Sequence, residues 1–216
     1  VIERPSPNFG PRRDGLTPSI IVLHYTAMAS AEAAIQRLCD PKAEVSAHYV
    51  ICRTGAVTRL VPEDQRAWHA GTGEWRGWTD INSRSIGIEL DNAGDHPFPE
   101  PQMAALDALL RDICARWPIS PENIIGHSDM APGRKSDPGP RFGWARLARQ
   151  GLAAPGAPSR PLADVSAQRF RTLAQAAGFT ANVDDATLLA AVRLRFRPHS
   201  RGPLSQEDLA VLPDTG

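Results

Sequence analysis

The chain has 216 residues, enough to bury a real core and, at the usual ~100–200 residues per domain, to hold one domain plus a small appendage. Its 24 basic and 24 acidic side chains cancel and its basic clusters, such as Arg12-Arg13, are short, so charge gives no footprint for nucleic acid or an anionic membrane. No apolar run approaches the ~18–20 residues of a membrane span, no secretory leader is visible, and three cysteines without CxxC spacing read as small core residues rather than a disulfide framework or zinc knuckle.

In chain order, residues 1–18 carry Pro5, Pro7, Pro11 and Pro18 and read as an extended arm wrapping the domain. Ser19 to Tyr25 is β-branched and continuously apolar up to His24, the pattern of a strand buried on both faces. Ser30 is placed to cap a helix running to Cys39, with Ala34, Ile35 and Leu38 as its apolar stripe and Pro41 as its stop. Ser46 to Cys52 and Ala56 to Val61 flank Arg53-Thr54-Gly55 and predict an antiparallel hairpin.

The segment 66–78 holds three of the five tryptophans among three glycines, material for a cleft wall, with satellite core as the alternative. Ser85 to Leu90 alternates as a strand, with Ile86, Ile88 and Leu90 on one face and Glu89 on the other. A carboxylate there is costly unless paired or functional. Helical spacing returns from Pro101 to Trp117, and a short strand, Ile124-Ile125, leads into a Gly/Pro-rich stretch reaching Pro140 that reads as an irregular loop. Phe142 to Gln150 predicts a short closing helix.

Gly151 to Pro161 has linker composition. Beyond it lie three short amphipathic patterns: Val165 to Ala177 with Gly178 as its stop, Asp184 to Phe196, and a capping box at Ser205 to Asp208 before Leu209 and Leu212. A three-helix unit of this size is marginal alone and is expected to dock or to bind a ligand.

The chemistry concentrates around residues 125–140. His127, Lys135 and Asp137 share this loop, and Lys135 is one of only two lysines in the chain, so it supplies a compact charge rather than a guanidinium fork. His24, His127 and Asp137 together make a ligand set for a catalytic zinc with one open position, although their spacing alone does not bring them together.

Six strings in order carry a resemblance: Val22 to Ala27, Val45 to Ile51, Ala67 to Gly71, Asn82 to Leu90, Gly126 to Asp129 and Lys135 to Gly139. Over about residues 5–150 the chain resembles the zinc-dependent N-acetylmuramoyl-L-alanine amidases, a bacterial group related to phage amidases and to peptidoglycan recognition proteins. The resemblance implies an α/β fold, a central mixed β-sheet flanked by helices, followed by a small three-helix C-terminal module. It implies a catalytic domain over 1–150, a linker over 151–161 and a peptidoglycan-binding-like module over 162–216. By the same resemblance His24, His127 and Asp137 would hold Zn2+, Glu89 would serve as general base and acid, and Lys135 would stabilise the tetrahedral intermediate. His48, His69, Trp68, Asn82 and Arg134 would contact substrate. Some phage relatives place a catalytic tyrosine where this chain has Ala47, which throws more weight onto Glu89.

The implied reaction is hydrolysis of the amide between N-acetylmuramic acid and the L-alanine of the stem peptide, with peptidoglycan or muropeptides as partner, no nucleic acid, and a monomeric enzyme. A catalytically inactive peptidoglycan-binding protein is the rival from another class, and it predicts a broken ligand set. A zinc peptidase would be expected to show HExxH, which is absent, and a glycosidase would have to rely on Glu89 with Asp91. A helical module behind the catalytic domain favours the cell envelope, periplasmic or outer-membrane-associated, over the cytoplasm.

Overall fold

The computed structural model describes residues 1–158 and 165–213. The N-terminal arm is extended, as its prolines dictate, and it is pinned twice. Strand β1 (Ile2–Glu3) pairs in parallel with a later strand at Thr58 and Arg59, and β2 (Phe9–Pro11) pairs antiparallel with residues 65–67.

The arm leads into β3 (Ile20–Tyr25), followed by α1 (Ala31–Cys39), whose N-cap Ser30 accepts a hydrogen bond from the Ala33 amide. Next come β4 (Tyr49–Ile51), β5 (Val57–Arg59), β6 (Gln65–Ala67), the short α2 (Ile81–Arg84) and β7 (Ser85–Leu90). Then follow α3 (Glu100–Arg116), β8 (Ile124–Gly126), α4 (His127–Met130) and α5 (Trp144–Arg149). The main sheet has the order β1-β5-β4-β7-β3-β8, and only the β4–β5 pairing within it is antiparallel, so the sheet is mixed and flanked by helices, as expected.

Alternation along the strands sorts the two faces. Ile21, Leu23, Ile86, Ile88, Leu90 and Ile124 pack against Leu106, Leu110 and Ile113 of α3 and Leu147 of α5. The opposite face carries His24, Gly87 and Glu89, between an apolar cluster on α1 (Ile35, Leu38, with Val50 of β4) and a second one built on Ile20, Val22 and Ile125. The polar site thus occupies a gap between two patches of core.

That second cluster is completed by the C-terminal helices α6 (Ala167–Ala177), α7 (Asp185–Phe196) and α8 (Gln206–Ala210). Phe170, Leu173, Leu188, Val192 and Leu209 are buried in it beside Ile20, Val22 and Met130. Local signals hold here: Gly178 ends α6 at φ +118°, and Ser205 and Asp208 form the capping box of α8. Of the expected linker, 159–161 lie outside the described residues, as do 162–164 and 214–216 of the expected module.

Two local expectations need correction. The Gly/Pro-rich stretch is not irregular from its start, because α4 makes one helical turn there: the Asp129 carboxylate accepts from the Gly126 amide (2.8 Å) and closes the turn. Trp75 is core rather than cleft wall: it is buried, edge-on to Phe179, in the cluster with the C-terminal helices.

Candidate metal centre and active-site cleft

His24 enters the site because it is the fifth residue of β3, where the strand reaches the edge of the cleft, in register with Glu89 on β7. His127 opens α4 directly after β8, and the Ser128 amide donates to the Asp137 carbonyl (3.0 Å), which brings the descending loop back over the same point. The three groups therefore meet although 103 positions separate the histidines. His24 Nδ1 lies 2.9 Å from His127 Nδ1 and 2.9 Å from Asp137 Oδ2, and His127 Nδ1 lies 3.1 Å from the same oxygen.

The outer hydrogen bonds decide which ring nitrogens carry protons. A carbonyl only accepts, so His127 Nε2–H donates to Ala70 O (2.8 Å), leaving Nδ1 of the neutral ring bare. On the other side Ser85 Oγ–H donates to Ile81 O (2.6 Å), so it accepts from His69 Nε2–H at 3.1 Å. Neutral His69 then has a bare Nδ1, which accepts from His24 Nε2–H at 3.0 Å and leaves His24 Nδ1 bare as well. Burial keeps the His24 and His69 rings neutral: it pushes His24 down to about 4, helped by the His127 ring, and holds His69 well below the ordinary histidine value.

Three bare acceptor atoms thus converge with no proton between them, an arrangement that is repulsive unless a cation joins them. Their separations fit one: ligands at ~2.0–2.1 Å from a tetrahedral zinc stand about 3.3 Å apart, close to the observed 2.9–3.1 Å. Among the described residues, His24, His127 and Asp137 form the group of ligand-type side chains able to hold a metal ion.

A cleft of about 400 Å³ opens over this cluster, lined by Tyr25, Thr26, Met28, Trp68, His69, Glu89, Arg134 and Lys135 among others. Glu89 Oε2 is buried without a hydrogen-bond partner. Burial pushes its carboxyl well above the ordinary range, Asp137 adds to the rise, and Lys135 opposes it. Lys135 is exposed at the rim. A carboxylate in a cleft beside three convergent acceptor atoms is chemistry-ready when, among the described residues, its buried Oε2 has no hydrogen-bond partner.

The remaining expected residues divide. Trp68 and Arg134 line the cleft, and Arg134 is braced by Nη2 donating to the carbonyls of Ala70 (2.7 Å) and Thr72. Asn82 is mostly buried, with Oδ1 accepting from the amides of His69 and Ala70 at 3.1 and 2.8 Å, so it shapes the segment after β6 that forms part of the cleft wall. Direct substrate contact does not hold for His48, which has no exposed surface: its Nδ1 accepts from the Gly87 amide (2.9 Å) and its Nε2 faces Gln65 O (3.1 Å). His69 lines the cleft but has both ring nitrogens committed to His24 and Ser85.

Ser85, Gly87 and the Ala70 carbonyl were not singled out by sequence reasoning. A Cβ on Gly87 would stand 2.4 Å from His69 Cγ, so only glycine leaves room for that ring. The available signal was a glycine in the middle of an apolar strand, which marks a close approach by another group.

An α/β sheet whose strand ends present a His-His-Asp cluster beside the Glu89 carboxylate defines a class of site able to hold a metal ion. The family model described as N-acetylmuramoyl-L-alanine amidase matches residues 14–140. AmiD of Escherichia coli K12 is 42% identical over 151 residues, 62% of this chain but only 54% of AmiD, so the match spans about half of that relative's length. The 1,6-anhydro-N-acetylmuramyl-L-alanine amidase AmpD of E. coli K12 is 37% identical over 160 residues, 66% of this chain and 87% of AmpD. Among solved structures, E. coli AmiD in complex with anhydro-N-acetylmuramic acid-L-Ala-D-γ-Glu-L-Lys superposes with a TM-score of 0.80 at 33% identity, over 96% of this chain and 90% of that one. AmpDh3 of Pseudomonas aeruginosa gives 0.77 at 32% identity, over 96% and 92%. The chain belongs to the N-acetylmuramoyl-L-alanine amidase family.

Proposed function

We propose that this chain, an amidase by family, is a zinc-dependent hydrolase that cleaves the amide between N-acetylmuramic acid and the L-alanine of a peptidoglycan stem peptide. The observation that carries the metal dependence is the convergence of three unprotonated acceptor atoms at 2.9–3.1 Å. His24, His127 and Asp137 would hold the ion, which supplies carbonyl polarisation and a lowered pKa for water when bound. Glu89, whose Oε2 is buried without a partner, takes the proton from the attacking water and returns it to the departing L-alanine nitrogen. Lys135 at the rim places a positive charge where the carbonyl oxygen becomes an oxyanion, with little reorganisation needed. The His69–Ser85 chain and the Ala70 carbonyl keep both histidines in the tautomer that offers Nδ1.

Muropeptide as substrate is supported by the complexes of AmiD and AmpDh3, solved with anhydro-muramyl peptides. Trp68 offers a face for sugar or peptide stacking and Arg134 a charge at the same rim. Residues 1–150 would form the catalytic domain, 151–161 the linker, and 162–216 a helical module adding contact with insoluble wall, which favours an envelope location; the enzyme would act as a monomer. Among the described residues no helix is long and apolar enough to cross a membrane.

Product analysis tests the reading. Incubating the zinc-loaded protein with an anhydro-muramyl tripeptide should free a peptide with an L-alanine amino terminus. A new reducing sugar end, or intact substrate in the presence of stoichiometric zinc, would reject it.

A further inference from the structure

The helix α7 carries an arginine on its apolar stripe. Leu188, Ala191 and Val192 are core residues, and Arg195 continues their spacing into the interior, 4% exposed. Burying a guanidinium is costly unless it is paired and hydrogen-bonded. Arg195 is both: Nη1 donates to Asp129 Oδ2 at 2.8 Å, and Nη1 and Nη2 each donate to Ile124 O at 3.2 Å. Its guanidinium also stacks over the Trp144 ring, 4.0 Å from the centroid.

Both acceptors belong to the element that presents His127. Ile124 starts β8, and Asp129 sits in α4, two residues after His127. The same Asp129 oxygen accepts from the Gly126 amide, immediately before His127. A segment beyond the family match at 14–140 therefore reaches under the metal cluster through one buried side chain.

We propose that Arg195 is a positioning residue, through which the C-terminal helices hold the His127 turn in place, so that these helices are a structural part of the catalytic unit and not only an attachment for the wall. This rests on the reading of His127 as a metal ligand. It implies that affinity for zinc depends on a residue of a helix that contributes no ligand.

The test uses the full chain. Arg195→Met alone leaves Asp129 as a lone buried charge and risks unfolding, so the double variant Arg195→Met/Asp129→Asn is made beside it; it removes the charge yet keeps a side-chain oxygen for the Gly126 amide. Hydrogen exchange is followed at the Gly126 and Ser128 amides, with Leu106 and Ile113 of α3 as controls, and zinc affinity is read by chelator competition. The expected result for the folded double variant is exchange at least tenfold faster at Gly126 and Ser128, controls unchanged, and zinc bound at least tenfold more weakly. Either wild-type protection at those two amides or a zinc affinity within twofold of wild type overturns the proposal. Failure of the metal reading is distinguishable: there the wild-type chain itself binds no zinc, whereas the amide measurement still decides whether Arg195 holds the turn.

Discussion

His69 gives the sharpest handle on the proposed metal centre, because it touches the proposed ligand His24 without belonging to the ligand set. In His69→Phe the ring volume over Gly87 is kept while both ring nitrogens are lost, so His24 Nε2–H, in a residue only 2% exposed, has no acceptor. Leaving a buried donor unsatisfied costs about 1–3 kcal/mol. His24 can escape that cost by moving its proton to Nδ1, where it would donate to Asp137 Oδ2, 2.9 Å away. The escape blocks the ligand atom, so the cost reappears in binding of the ion. Removing such an outer partner typically weakens metal affinity ~10–100-fold, about 1.4–2.7 kcal/mol at 1.36 kcal/mol per decade, which matches the hydrogen-bond figure. Zinc affinity would be measured by competition with a chromogenic chelator, and the His24 tautomer by 15N chemical shifts of its ring. A folded His69→Phe protein that binds zinc within twofold of wild type, with Nε2 of His24 still protonated, would refute the tautomer argument.

Three further outcomes follow from the same geometry. Gly87→Ala puts a Cβ 2.4 Å from His69 Cγ, so it should lower stability by about 1–3 kcal/mol in denaturant titration and loosen zinc in parallel. Glu89→Gln keeps the shape of the side chain but cannot take a proton, so kcat should fall ~10²–10⁴-fold with zinc content unchanged; full activity in the muropeptide assay would remove Glu89 from the mechanism. Glu63 concerns acid stability: burial raises its carboxyl, but hydrogen bonds from Arg116, Tyr49 and Trp117 outweigh this and hold it below the ordinary value. A depressed folded pKa contributes stability that is complete above about pH 4.5 and is lost as pH falls from there through the folded value. Acid titration of Glu63→Gln should therefore show a shallower loss of stability below that pH than wild type does.

Much of the fold was legible because local signals agreed with the global one. The apolar run at Ile20 to Leu23, the Ser30 cap, the alternation of Ile86, Ile88 and Leu90 and the capping box at Ser205 each specify an element that the structure contains. What local pattern could not carry was contact between distant strands. Nothing in spacing brings His24 to His127, and only the parallel pairing of β3 with β7 and β8 does so. Side-chain type likewise does not say which way a polar group is used: of two histidines, His48 is sealed in the interior and His69 braces His24. Arg195 was hidden for a related reason. An arginine at the end of an amphipathic pattern reads as a solvated helix terminus, and only its place on the stripe of Leu188, Ala191 and Val192 marks it as buried.

The proposed centre consists of three acceptor atoms sharing a cation, and metal analysis of the purified chain beside Asp137→Ala tests this most directly. Asp137 Oδ2 is the atom common to both histidine contacts. Wild-type protein should retain stoichiometric zinc through dialysis and release L-alanine-terminated peptide, and Asp137→Ala should lose both while remaining folded by circular dichroism. A folded Asp137→Ala protein that holds zinc at the wild-type level would contradict the claim.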